Sequence, residues 1–186
     1  MNLRCLSLVA AAALIAALLP SCTSGKSLPP LATAGPVDLQ RYSGLWFEQF
    51  RLPNSFQNDE ATAEARYTPQ PDGSVRVVNT EIRPDGTRKT ATGTATAVPG
   101  SRNSRLRVKF EGLAALVPAA KEGNYWIIRL APDYSAALVG TPDRKFLWLL
   151  SRDRDLTAAR RNEYVQEARR QGFDTSRLLD RPQQSQ

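Results

Sequence analysis

The stretch from Pro36 to Phe56, Pro-Val-Asp-Leu-Gln-Arg-Tyr-Ser-Gly-Leu-Trp-Phe-Glu-Gln-Phe-Arg-Leu-Pro-Asn-Ser-Phe, decides the fold. After a short acidic and polar lead-in, Gly44-Leu45-Trp46 opens an aromatic-rich strand over 45–52.

Beyond it, from 61 to 152, short alternating segments are split by turn signals: Pro71-Asp72-Gly73-Ser74, Pro84-Asp85-Gly86-Thr87, Pro99-Gly100-Ser101, Pro132-Asp133 and Thr141-Pro142-Asp143. Asp-Gly between alternating runs is a hairpin signal, because the turn needs positive φ and glycine adopts it without steric penalty. Seven more strands are predicted at 61–69, 74–82, 87–97, 105–111, 124–131, 135–140 and 146–151. Such a series is all-β and suits an eight-stranded antiparallel up-and-down β-barrel, whose closure removes unpaired edges and whose bore holds one small ligand. A β-sandwich would use the same strands but leaves unexplained a single helix after the last of them, at 157–171. Asp155 or Thr157 caps that helix, Tyr164, Val165 and Ala168 share one face, and Gly172 stops it. Its narrow apolar stripe places it on the outside of the barrel.

The pattern Val37-Asp38-Leu39-x-x-Tyr42-x-Gly44-x-Trp46-Phe47-Glu48, followed by Arg51-Leu52-Pro53-Asn54-Ser55-Phe56, resembles the first motif of the lipocalins. Ala131-Pro132-Asp133-Tyr134 and Phe146-Leu-Trp-Leu-Leu-Ser-Arg152 fall where that family would put them. With Asn124-Tyr125-Trp126 and Gly172-Phe173-Asp174-Thr175 they are most similar to its bacterial outer-membrane lipoprotein branch, itself similar to apolipoprotein D. The resemblance spans about 37–181 and implies the barrel with one C-terminal α-helix packed outside. It also implies that Gly44, Trp46 and Arg152 close the narrow end, with the arginine stacked on the indole; these are residues of the fold rather than of a ligand site.

The N-terminus has a basic start, an apolar run from Cys5 to Leu19 and then Leu19-Pro20-Ser21-Cys22. This is the layout of a secretory signal over 1–21, and the run is too short and alanine-rich for a spanning helix. The last four residues resemble a bacterial lipoprotein processing box, which implies thioether lipidation of Cys22; Pro20 is an uncommon occupant there, and an ordinary signal peptide with a nearby cysteine is the plainer alternative. By resemblance to enterobacterial lipoprotein sorting rules, Thr23 rather than Asp after the cysteine implies the outer membrane over the inner, with the domain lipid-anchored and facing the periplasm. Residues 22–36 read as a flexible tether, 37–182 as one barrel domain, and 183–186 as a disordered tail.

The formal net charge is +7, carried by arginine more than lysine and interleaved with acids. Without an aromatic and basic motif this excludes a nucleic-acid partner and leaves anionic lipid head groups, lipopolysaccharide or plain solubility. The chain has no histidine, which removes Ser–His and Cys–His nucleophiles, the commonest metal ligand and a neutral-pH proton shuttle. The carboxylate pairs Asp59-Glu60 and Asp153-x-Asp155 sit at element boundaries, where acids serve turns and caps. No enzyme, metal or cofactor is therefore expected.

Strand parity supplies a candidate cavity. Leu106, Val108 and Phe110 alternate with Arg107 and Lys109 and point inward, as do Val75, Val77 and Asn79, the last able to orient a polar ligand end. Over 124–131 either set could face in; Arg129 marks Tyr125 and Ile127 as the outer set, which leaves Trp126 and Ile128 inward. All eight are core residues first and ligand contacts second. The apolar loop Gly112–Ala120 could cover the mouth, touch membrane or another subunit, or tuck against the barrel. The favoured function is storage, transport or maintenance of membrane lipid by binding a fatty acid such as palmitate, or a lysophospholipid. The rival is a structural lipoprotein of the envelope whose barrel is plugged by its own side chains. A homodimer stays open.

Overall fold

The computed structural model describes residues 28–112 and 121–181. Within them the elements are α1 (Leu39–Tyr42), β1 (Gly44–Arg51), β2 (Thr62–Pro69), β3 (Val75–Ile82), β4 (Arg88–Ala97), β5 (Arg105–Phe110), β6 (Tyr125–Leu130), β7 (Ala136–Gly140), β8 (Leu147–Ser151), α2 (Ala158–Arg170) and β9 (Leu179–Asp180). The eight predicted strands are all present, each with ends within one residue of its expected position. Sequence-adjacent strands pair antiparallel from β2 round to β8, β8 pairs β1, and β1 closes on β2 through the register Gly44↔Tyr67 to Phe47↔Glu64. This is the up-and-down barrel. The expectations on 1–21, Cys22, 113–120 and 183–186 lie outside the described residues.

Three elements were not foreseen: α1, β9 and a single 3₁₀ turn at Thr175–Arg177. α1 forms because the Asp38 carboxylate accepts from the backbone N–H groups of Gln40 and Arg41, at 2.9 and 3.2 Å. β9 pairs with Phe50 and Arg51 of β1, beyond the point where β1 has parted from β2.

Two register shifts set which side chains face in. One lies in β1 between Glu48 and Phe50, the other in β6 between Ile127 and Arg129. Each adds a residue to one strand, so that the parity of the residues beyond it is inverted.

The apolar residues accordingly split into two clusters. Inside the barrel are Trp46, Tyr67, Val75, Val77, Leu106, Val108, Ile127, Val139 and Leu150. Outside it, beneath α2, Phe50, Ile128, Leu138, Leu147 and Leu149 pack against Tyr164, Ala168 and Phe173. A fully buried Leu or Phe contributes about 1.5–3 kcal/mol, which stabilises a 13-residue helix that would be marginal alone in water. Thr157 caps α2 by accepting from the Arg160 N–H at 3.3 Å.

The described part of the expected tether is docked rather than free. Leu31 is buried in the outer cluster, the Ala34 N–H donates to the Ile127 carbonyl at 2.8 Å, and the Val37 N–H to that of Arg102 at 3.0 Å. At its start, Pro29 accepts from Arg144 in the β7–β8 turn and Leu28 lies against Gly172. The strap thus runs down the barrel wall from the β7–β8 end to the α1 end.

Candidate ligand-binding site

The α1 end of the barrel is sealed. Trp46 is fully buried, and its indole Nε1 donates to the Tyr42 carbonyl at 2.8 Å. The Arg152 guanidinium lies over the indole, 3.8 Å from its centroid. Gly44 has φ +104°, and a Cβ there would sit 3.2 Å from Arg152 Nη1, so glycine serves both the backbone turn and the close approach.

Above the indole lie three tyrosines. The Tyr42 and Tyr67 rings stack with centroids 5.8 Å apart, and both hydroxyls bond that of Tyr125, at 2.7 and 3.1 Å. Burial pushes the Tyr67 phenol up to about 12 and those of Tyr42 and Tyr125 well above their ordinary value. All three are neutral at physiological pH, so the tyrosine layer carries no charge of its own and the one cation beside it is Arg152.

The wall rises from this floor. Val75, Val77, Leu106 and Val108 are buried in the inner cluster and Phe110 packs on it. Higher up the inward face opens: Ala63, Asn79, Phe110 and Trp148 are half-buried and Ala91 is exposed. Asn79 sits between Ala65 and Ala91, and its Oδ1 is buried without a hydrogen-bond partner.

Trp126 and Ile128 do not belong to this wall. Both pack in the outer cluster, Ile128 under α2 and Trp126 beneath the Arg105 guanidinium, 5.0 Å from the ring centroid. Tyr125, Ile127 and Leu130 take the inward places. Arg129 does face out, 4.8 Å over the Tyr164 ring, but the register shift just before it separates its parity from that of Tyr125 and Ile127.

The rim carries charge that periodicity does not reveal. Glu48 and Arg51 are both buried, with Arg51 Nη1 donating to Glu48 Oε1 at 2.9 Å. Three residues apart on a regular strand they would face opposite ways; the shift in β1 turns both inward. The β1–β2 loop folds onto them: Gln57 Nε2 donates to Glu48 Oε2 at 3.0 Å, Arg51 Nη2 to the Asn58 carbonyl at 2.6 Å, and the Asn58 N–H to Glu81 Oε2 at 2.9 Å. Burial raises the Glu48 carboxyl above its ordinary value, against the opposing pull of Arg51 and Gln57.

A closed antiparallel barrel with a plugged floor, an apolar wall and a polar rim has the form of a calyx, the architecture of small-ligand carriers. The chain belongs to the lipocalin family: the family described as Lipocalin-like domain matches residues 37–183. The chain is 36% identical to Temperature-induced lipocalin-1 of Arabidopsis thaliana over 149 residues, 79% of this chain and 80% of the relative. It is 32% identical to the Outer membrane lipoprotein Blc of Escherichia coli K12 over 178 residues, 95% and 96% of the two chains. Apolipoprotein D of Rattus norvegicus is 32% identical over 62% of this chain and 57% of its own length. Insecticyanin of the tobacco hornworm Manduca sexta shares the fold, with a TM-score of 0.67 at 17% identity, covering 86% of this chain and 87% of its own.

Proposed function

We propose that this lipocalin is a membrane-anchored binder of one amphiphile, a fatty acid or a lysophospholipid, for storage, transport or maintenance of membrane lipid. The observation that carries the reading is the gradient along the inward face. Side chains are sealed around Trp46 and the three tyrosines, apolar through Val77, Val108 and Leu150, and solvent-accessible from Asn79 to Ala91. An acyl chain entering from the rim gains about 25 cal/mol per Å² of apolar surface buried, while its head stays among Glu48, Arg51 and Glu81. Val75, Val77, Leu106, Val108 and Phe110 line the chain's path in this reading, with Asn79 near the head.

Lipidation of Cys22 anchors the protein to the outer membrane on its periplasmic side. The processing box supports this, as do Blc relatives that are named outer membrane lipoproteins. The Trp46 and tyrosine layer favours one rival, a barrel plugged throughout that serves the envelope as a structural lipoprotein.

Native mass spectrometry of the full chain purified from its host without detergent, followed by lipid extraction, separates the two. A stoichiometric fatty acid or lysophospholipid, displaced by a fluorescent acyl probe, is expected. An empty protein that also refuses the probe supports the plugged barrel.

A further inference from the structure

We infer that the open rim is the lipid-contacting face of the molecule, with Leu28, Phe56 and Phe146 forming the patch that rests on the membrane. Three observations converge on this rim, and the third rests on the anchoring reading above.

Leu28 and Phe56 are the exposed large hydrophobic residues among those described, 54% and 53% accessible. In a surface otherwise rich in charge they are not scattered. Phe56 stands in the β1–β2 loop with its ring centroid 5.5 Å from that of Phe146 and 6.4 Å from that of Trp148. Phe146 stacks on Trp148 at 6.0 Å, so an aromatic row leads from solvent at Phe56 to the inward-facing Trp148. Clustered exposed aromatic residues mark an interaction surface, and rings continuous with an apolar bore suit acyl chains better than a polar partner.

Leu28 reaches the same end of the barrel by way of the strap. Arg144 of the β7–β8 turn donates through Nη2 to the Pro29 carbonyl and through Nε to that of Gln171, at 2.5 and 3.1 Å. Phe146 closes that same turn, accepting through its carbonyl from the Thr141 N–H at 3.1 Å. Leu31 and the Ala34–Ile127 bond then hold the strap along the wall, so the chain enters the domain beside the mouth and not beside the floor.

Cys22 precedes Leu28 by six residues. Even fully extended they reach only about 20 Å. The β2 strand alone has eight residues, about 26 Å of chain at 3.3 Å each and about 20 Å along the axis at the usual barrel tilt, and α1 and Arg152 lie below it. A lipid on Cys22 therefore holds the mouth, and not the floor, near the bilayer. The bore then opens toward the leaflet that supplies its ligand.

The test uses the full lipidated chain in vesicles of phosphatidylethanolamine and phosphatidylglycerol, with a nitroxide on Ser55→Cys at the rim or on Gln40→Cys at the floor. Power-saturation electron paramagnetic resonance reads collision with oxygen, which favours lipid, against a water-soluble nickel chelate. The expected result is a lipid signature at Ser55→Cys, an aqueous one at Gln40→Cys, and loss of the lipid signature when Phe56→Ser is added. An aqueous rim label, or a lipid signature at the floor, overturns the inference. Displacement of a fluorescent acyl probe in the same samples reports the ligand reading separately, and intact mass reports acylation. A chain without acyl groups that still buries its rim label in the vesicles upholds the inference while removing the anchor.

Discussion

Arg152 holds its guanidinium 3.8 Å from the centroid of the Trp46 indole and, in the same pose, binds backbone on three sides. Its Nη1 donates to the Leu45 carbonyl at 2.8 Å, its Nη2 lies 2.8–3.0 Å from the carbonyls of Arg41, Tyr42 and Ser43, and its Nε is 3.3 Å from that of Tyr134. One side chain at the end of β8 thus joins α1, the start of β1 and the β6–β7 turn. Lysine would keep the charge but not the planar fork or the stack. Arg152→Lys is expected to cost about 2–4 kcal/mol, read as a lower urea midpoint at unchanged slope. A loss below about 1 kcal/mol would show that the floor closes without this clamp.

The tyrosine layer should show itself at alkaline pH. The folded Tyr67 phenol is held up at about 12, against an ordinary 10.0 in the unfolded chain. Between those values the native state keeps a proton that the unfolded state has lost, so stability falls as pH rises through 10 to 12. Phenolate absorbance from Tyr42, Tyr67 and Tyr125 is expected to appear together with loss of barrel structure, as one step. Tyr125→Phe strands the hydroxyls of its two partners and is expected to cost about 1–3 kcal/mol. Titration of these phenols in a folded barrel would contradict the sealed floor.

Glu48 gives the opposite end of the pH scale a distinct signature. Its folded pKa lies above the ordinary 4.5, chiefly through burial. Between 4.5 and that raised value the native state binds a proton that the unfolded state does not, so this group's contribution to stability increases as pH falls through the window. Glu48→Gln removes the effect and leaves Arg51 buried without its counter-charge, a loss of about 3 kcal/mol at neutral pH. Urea midpoints of the two proteins should therefore move further apart as pH is lowered toward 4.5. A gap that stays constant would mean that Glu48 does not titrate in this range.

The barrel was legible in the sequence because five of its hairpins carry a local signal, an Asp-Gly, Pro-Gly or Pro-Asp turn between alternating runs, and alternation survives in β3, β4 and β5. The inward set of those strands could be read directly. In β1 and β6 the same rule fails past the register shifts, since one added residue exchanges inside for outside and leaves no mark in composition. This is why Ile128 faces α2, why Ile127 takes the inner place, and why the Glu48–Arg51 pair is invisible to periodicity. The strap was hidden for a different reason. A proline- and glycine-bearing stretch has no pattern of its own, and its docking depends on one buried leucine and on backbone bonds to distant carbonyls.

Ala91 offers the sharpest test of where a ligand lies. It occupies the inward face of β4 opposite Asn79, yet it is exposed, so the space before it belongs to the mouth. Tryptophan at this position fills that space without displacing a packed neighbour. Its neighbour Thr90 points to the outer face, opposite Thr80, and is also exposed. Ala91→Trp and Thr90→Trp should therefore unfold within about 0.5 kcal/mol of the parent, as surface substitutions do. Their binding should differ. Ala91→Trp is expected to weaken a fluorescent acyl probe by about tenfold or more, equivalent to roughly 1.4 kcal/mol, while Thr90→Trp binds as the parent does. Equal binding by all three proteins would place the amphiphile somewhere other than the upper bore, and weak binding by both variants would point to the strand rather than to the space it encloses.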